Sequence, residues 1–248
     1  MKKLVYLVAV CLFVSGSASF GDLVAHYEFS ENYNDSAGSN DGVAFGDTSI
    51  VVDSERGYVA SFDGDGDYIN LGNNNSLKPS LSITLTAWIK TNDIVDSQQI
   101  IALDSQSPNY YGVAFMCEYG GQLATAYCDG GSPGPSSRRS KGDGATHLNI
   151  NQWYHVAVVM QGPENMQLYV NGIDDGGRYT GSGGSLTYSS APSFIGSRAG
   201  LSYFFDGYID DVRIYNNALS SQEIMQLVPE PATLAIMAMG VLMLKKKR

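Results

Sequence analysis

From Leu81 to Lys90 the chain alternates. Leu81, Ile83, Leu85, Ala87 and Ile89 are separated by Ser82, Thr84, Thr86, Trp88 and Lys90. Side chains of a strand point to opposite faces in turn, so this segment predicts a strand with one buried face and Trp88 on the other. Two hairpins follow from similar runs. One joins Gly112–Glu118 to Gln122–Cys128 through Tyr119-Gly120-Gly121, and the other joins Trp153–Val159 to Met166–Val170 through Gly162–Asn165, with Asn171-Gly172 closing the next turn. Tyr208–Tyr215 reads as a final strand. Ser220–Leu227 alone reads as helical, with Ser220 as cap and Glu223 as its capping-box partner. Many short strands, one short helix and no alternation of strand with helix predict an all-β fold of two antiparallel sheets, a β-sandwich.

Composition adds few constraints. Glycine and tyrosine are abundant, and turn clusters recur at intervals of about ten residues. The formal charge of −10 argues against a nucleic-acid partner, because phosphate binding needs clustered Lys and Arg. The dense basic run Arg138-Arg139-Ser140-Lys141 sits among Gly, Pro and Ser and reads as a solvated loop.

Both ends carry further signals. Met1-Lys2-Lys3, the apolar run Leu4–Val14 and the small residues Ser15–Ser19 read as a secretory signal peptide, residues 1–19, cleaved near Ala18 or Ser19. The run is too short for a bilayer core of about 30 Å, which needs roughly 20 apolar residues. Residues 20–227 then form one domain. Residues 228–248 place Val228-Pro229-Glu230-Pro231 before the apolar run Ala232–Leu244 and the cations Lys245–Arg248. As a helix the apolar run would cover about 20 Å, marginal for a permanent anchor. The cations would stay on the cytoplasmic side, and the prolines would leave an extended peptide exposed on the other. This order resembles the PEP-CTERM sorting signal of exopolysaccharide-producing bacteria. The resemblance implies export to the cell envelope, membrane insertion through the C-terminal segment and processing by an exosortase-type enzyme. An uncleaved tail anchor is the alternative.

Without the signal peptide two cysteines remain, Cys117 and Cys128, one in each strand of the predicted hairpin. Export favours a disulfide between them. A pairing that sets odd positions opposite even ones places both thiols on one face, and only one register brings them within bonding distance. Other registers leave two thiols.

Five blocks carry a second resemblance. LVAHYEFSENYNDSAGSNDG, VASFDGDGDYINLG, SLSITLTAWIKT, NQWYHVAVVMQG with MQLYVNG, and FDGYIDDVRIYNNALSSQEI are similar, in this order and spacing, to laminin G-like, concanavalin A-like jelly-roll domains. The resemblance implies two sheets packed face to face, often with a structural calcium, in a family whose members bind glycans, proteins or nothing yet identified. Related glycoside hydrolases carry their carboxylates as ExDxxE on one strand, since a retaining mechanism needs two carboxyl groups about 5 Å apart. That spacing is absent from this sequence. Gly130-Gly131-Ser132-Pro133-Gly134 matches the GxSxG elbow by letter, but a Gly, Pro and Ser loop follows it where a helix is required. His26, His147 and His155 are scattered and form no zinc pattern. His155, within a strand, reads as a core residue.

Asp63-Gly64-Asp65-Gly66-Asp67 begins like an EF-hand loop, but its sixth position is Tyr68 and its twelfth is Asn74, so it reads as a tight turn. Asp210 is placed by strand alternation on the face of Val212 and Ile214, the expected core face. An unpaired carboxylate there is costly and calls for a cation or hydrogen-bond donors. The resemblance implies that Asp210 helps to hold calcium, with Glu28 and Asp35 as further ligands; otherwise Asp210 caps a turn without metal. Trp153 reads as core, and Trp88 as either structural or ligand-facing. Tyr110, Tyr111, Tyr203 and Phe204 fall beside loops, as do Tyr119, Tyr127 and Phe205, and such rings stack on sugars. The expected function is non-catalytic recognition or adhesion through a polysaccharide or glycan. A purely structural envelope protein and a diverged glycoside hydrolase are the alternatives.

Overall fold

A computed structural model describes residues 23–105 and 109–228. The predicted signal peptide and the sorting tail after Val228 lie outside the described residues. The chain forms two eight-stranded antiparallel sheets packed as a β-sandwich. The first sheet runs in the order β13 (Ile173–Asp174), β12 (Asn165–Val170), β11 (Tyr154–Gly162), β6 (Ile83–Thr91), β16 (Asp206–Tyr215), β4 (Gly57–Asp63) and β3 (Ser49–Asp53). Its eighth strand, β1 (Leu23–Tyr27), pairs with β16. The second sheet runs β14 (Arg178–Gly181), β10 (Arg138–Gly142), β9 (Gln122–Cys128), β8 (Val113–Glu118), β7 (Gln98–Leu103), β15 (Ser193–Ile195), β5 (Tyr68–Gly72) and β2 (Val43–Phe45).

The alternating positions do as they predict. Ile83, Leu85, Ala87 and Ile89 of β6 meet Phe115, Leu123 and Tyr127 of the other sheet in one fully buried cluster. Both predicted hairpins are present, and Asn171 and Gly172 both take positive φ, 50° and 78°, as the tight turn after β12 demands. Helix α1 (Ser221–Gln226) starts at Ser220 with the predicted capping box closed in both directions. It covers the outer face of the first sheet, where Ala157, Val159, Tyr169 and Tyr215 pack with Leu219, Ile224 and Leu227.

One irregularity governs the rest of that face. In β16, Asp210 pairs with Trp88 but Arg213 pairs with Thr86, so β16 spends one residue more than β6 between these pairs. Asp211 takes φ 49° within this bulge. The strand also changes partner there, pairing with β4 up to Ile209 and with β1 from Val212. Alternation therefore inverts across the bulge: Ile209, Val212 and Ile214 all join the buried cluster, and Asp210 faces outward. The expectation that Asp210 shares the core face of Val212 and Ile214 is corrected by that extra residue.

Candidate functional site

The outer face of the second sheet carries a cleft. Its floor is made by outward positions of β8 and β9, where Ala114 lies opposite Ala126 and Met116 opposite Ala124. These small side chains leave a recess over the sheet, at the bottom of which Ala124 and Ala126 are buried. Two pockets adjoin on this floor, of about 170 and 190 Å³, and both are bordered by Met116, Glu118, Ala126 and Arg138. The first is closed on its far side by Tyr110, Arg198 and Tyr203, and a third pocket continues past Arg198 and Tyr203 along the loop to Leu201. The three form a groove.

Backbone bonds fix its walls. Tyr110 is tied to the segment after β9 by its N–H to the Gly131 carbonyl, at 3.0 Å, and by the Gly130 N–H to its own carbonyl, at 2.7 Å. The loop bearing Arg198 and Tyr203 closes through the Arg198 N–H to the Ser202 carbonyl and is pinned to β7 by the Gln99 N–H to the Tyr203 carbonyl. The Arg198 guanidinium lies 5.5 Å from the Tyr110 ring and 5.9 Å from the Tyr203 ring, so cation and rings hold one another in place. Gln99 is fully buried beneath the first pocket and donates its amide to the Ile101 and Phe115 carbonyls at the β7 bulge. Its Oε1 has no hydrogen-bond partner among the described residues. Burial and the nearby Asp143 push the Glu118 carboxyl above its ordinary range, with Arg138 opposing.

Of the aromatic residues expected beside loops, Tyr110 and Tyr203 line the first pocket. Tyr111 packs over Gly130 instead, Phe204 is absent from the pocket walls, Tyr127 and Phe205 are in the interior cluster, and Tyr119 is exposed at the hairpin tip. Arg138 is the residue that sequence reasoning missed. The basic run is not a loop but β10, paired with β9 and β14, so its residues alternate. Arg138 and Ser140 border the cleft, while Arg139 and Lys141 lie over the Tyr179 ring on the other side.

The proposed calcium ligands do not converge. Asp210 is ion-paired with Arg56, Nε to Oδ2 at 2.7 Å, and accepts the Asp211 N–H. Asp35 Oδ1 accepts the N–H groups of His26, Ala37 and Gly38, and Oδ2 accepts those of Asn40, which fill its lone pairs. Against burial, those bonds hold its carboxyl below the usual range. Glu28 is exposed. Calcium takes six to eight oxygens, and among the described residues no three His, Cys, Asp or Glu side chains group together, so Asp210, Glu28 and Asp35 do not fit one shared ion.

The disulfide is also corrected. In the observed register Cys117 lies opposite Leu123 and Val113 opposite Tyr127, so odd positions face odd ones. Cys117 points into the sandwich and Cys128 into the cleft; both are free thiols. Trp153 is buried on the outer face of the first sheet, where its Nε1 donates to Asp53, and is not part of the interior cluster.

Residues 63–225 match the Laminin_G_3 family model, described as the concanavalin A-like lectin/glucanases superfamily. The chain belongs to this superfamily. No curated relative matches it. Among solved structures, this superfamily member is similar to domain 4 of AbnA, a GH43 extracellular arabinanase from Geobacillus stearothermophilus, in complex with arabinotriose. The TM-score is 0.61 at 20% identity, over 84% of this chain and 98% of that one. It is also similar to the binding domain of botulinum neurotoxin serotype C1, with TM-score 0.63 at 15% identity, over 84% of this chain and 51% of that one. The binding domain of Paraclostridial Mosquitocidal Protein 1 gives TM-score 0.64 at 15% identity, over 84% and 52%. The chain thus spans about half the length of the toxin binding domains.

Proposed function

We propose that this protein is an exported, non-catalytic carbohydrate-binding domain that holds a polysaccharide chain along the groove on the outer face of its second sheet. The observation that carries this reading is the groove itself: a flat floor of Ala and Met edged by Tyr110 and Tyr203, with Gln99, Glu118 and Arg138 as polar groups. Sugar rings stack their apolar faces on aromatic walls and bond their hydroxyls to such groups. Similar structures support it, since one was solved with arabinotriose and another belongs to botulinum neurotoxin type C, whose cell entry is dependent upon interaction with two ganglioside molecules. The terminal sequences support export, with the tail as a PEP-CTERM-type signal for sorting to a bacterial envelope and removal by an exosortase.

One observation favours a second reading. Glu118 and Asp143 both border the second pocket, and a carboxyl raised above its ordinary range is suited to general acid work. Asp143, however, is engaged by Arg178. Affinity electrophoresis in gels containing arabinan, laminarin, alginate or polygalacturonate tests binding, with Tyr203→Ala expected to weaken retardation several-fold. A reducing-end assay on the same polymers tests catalysis. Product release abolished by Glu118→Gln would replace the binding reading with a glycosidase.

A further inference from the structure

Most cations of the described residues are ion-paired. Arg56, Lys78, Lys90, Arg139, Arg178 and Arg213 each lie within 4.0 Å of a carboxylate oxygen. Arg138 has no such partner among the described residues, and its Nε is buried without a hydrogen-bond acceptor. A buried guanidinium N–H left unbonded is costly, so this position is kept at a cost in stability unless a ligand completes it.

The field around it is directional. Cys128, on the cleft floor, has its thiol pushed up to about 11 by burial, while Arg198 and Arg138 pull it the other way and Asp129 adds to the rise. Arg138, Arg198 and Cys128 all line the first pocket, so both guanidinium groups border one recess. Glu118 is the carboxylate bordering that pocket; a Cβ on Gly142 would meet its Oε2 at 3.4 Å, which places the carboxylate over β10. Arginine presents several N–H donors in a planar fork that matches carboxylate and sulfate oxygens.

Resting on the carbohydrate reading, we propose that the groove selects an anionic polysaccharide, with a carboxylate or sulfate substituent of one sugar held between Arg138 and Arg198 above Cys128. Tyr110 and Tyr203 flank that sugar. Selection then follows charge on the polymer more than the identity of its backbone.

The test compares polymers that share a backbone. Polygalacturonate is set against its fully methyl-esterified form, and dextran sulfate against dextran, by affinity electrophoresis and calorimetry with the purified chain. The charged member of at least one pair should bind about ten-fold more tightly than its neutral counterpart, and the pair that responds identifies carboxylate or sulfate. Arg138→Gln should bring binding down to the neutral level, and Ala126→Trp, which fills the floor, should abolish both. Should Arg138→Gln fail to fold, Arg138→Lys carries the test: it keeps the charge but loses the fork, and a loss of about three-fold or more is expected. Equal binding of charged and neutral members, or anion binding unchanged by Arg138→Gln or Arg138→Lys, would overturn the inference while leaving carbohydrate binding intact. Retardation by none of these polymers or of the neutral arabinan and laminarin would remove both.

Discussion

Replacing Arg56 by Met should be among the most damaging single changes in the domain. Arg56 sits in the β3–β4 turn and reaches over the outer face of the first sheet. There its Nε bonds Asp210 at 2.7 Å, and its guanidinium lies 4.1 Å above the Trp88 ring and 5.5 Å from that of Trp153. The Asp210 side chain is only 7% exposed. Removing the partner leaves that carboxylate with the Asp211 N–H as its remaining donor, and breaking a buried pair from one side costs about 3–5 kcal/mol. Loss of the stack on Trp88 adds roughly 0.5–1 kcal/mol, part of which the Met stem recovers. A total of about 4 kcal/mol corresponds to a fall in Tm of roughly 8–16 °C for a domain of this size. Burial already raises the Asp210 carboxyl above its unfolded value, with Arg56 opposing, so the variant should raise it further. A carboxyl raised on folding favours the folded state at low pH and loses that contribution as pH rises through its folded pKa, so the cost of the substitution should be largest at neutral pH and shrink towards pH 4.5. Trp88 and Trp153 are the chain's two tryptophans, so urea denaturation followed by fluorescence reads this site directly. A loss below about 1 kcal/mol at pH 7, a loss independent of pH, or no recovery when Asp210→Asn is added would refute the reasoning.

Other predictions follow from the same structure. His155 is buried, and burial depresses its pKa to about 4; a group depressed on folding contributes fully above its unfolded value near 6.5 and loses that contribution as pH falls from about 6.5 to 4, on the order of 3 kcal/mol. His155→Gln should flatten the urea midpoint over that window, and an unchanged slope would dismiss His155 as its source. Calcium and chelator should give the same melting temperature within about 1 °C, because Asp210 and Asp35 are already committed to Arg56 and to N–H donors; a rise of several degrees with calcium would show a site those contacts do not reveal. Thiol titration of residues 20–227, unfolded without reductant, should find Cys117 and Cys128 both free. In the folded protein alkylation should be slow, since burial pushes the two thiols up to about 12 and about 11; an unreduced chain lacking thiols would contradict the register.

What the sequence discloses is local. The alternation in Leu81–Lys90, the Asn171-Gly172 turn and the Ser220–Glu223 capping box each contain within a few residues the interaction that makes them; the turn and the box are found as read, and the strand is found from Ile83, with Thr84 and Thr86 on its other face also buried. Asp210 was misplaced because its face depends on a bulge one residue further on. Nothing in Asp210-Asp211 distinguishes a residue that adds to the alternation from one that interrupts it; the change of partner from β4 to β1 does, and that lies far away in sequence. Arg138 was hidden by composition. Four polar residues after a Gly, Pro and Ser stretch have no hydrophobic period, because the outer side of β10 borders a cleft and its inner side is covered by Arg139 and Lys141 stems over Tyr179. The groove draws on β7, β8, β9, β10 and the loop after β15, so no single window of sequence contains it.

The two outer faces resolve the same problem in opposite ways. A sandwich buries the inner side of each sheet, and each outer side must then be covered, satisfied by its own side chains, or left open. The first sheet is covered at one end by α1, and elsewhere it pairs its own charges, Arg56 with Asp210, Lys90 with Asp53 and Arg213 with Asp211, under Trp88, Trp153 and Tyr208. Its aromatic rings are occupied by cations of the same chain, which is why Trp88 on an outward position is structural. The second sheet keeps a cleft over Ala114, Ala124 and Ala126, and its rim holds Tyr110 and Tyr203 against Arg198, beside Arg138, whose buried Nε has no acceptor among the described residues. Aromatic residues beside loops therefore do not by themselves mark a binding site. The mark is an aromatic rim around a floor too small to fill its own face, next to a buried donor with nothing to bond, and among the described residues those features coincide along the groove bordered by Tyr110, Arg138 and Tyr203.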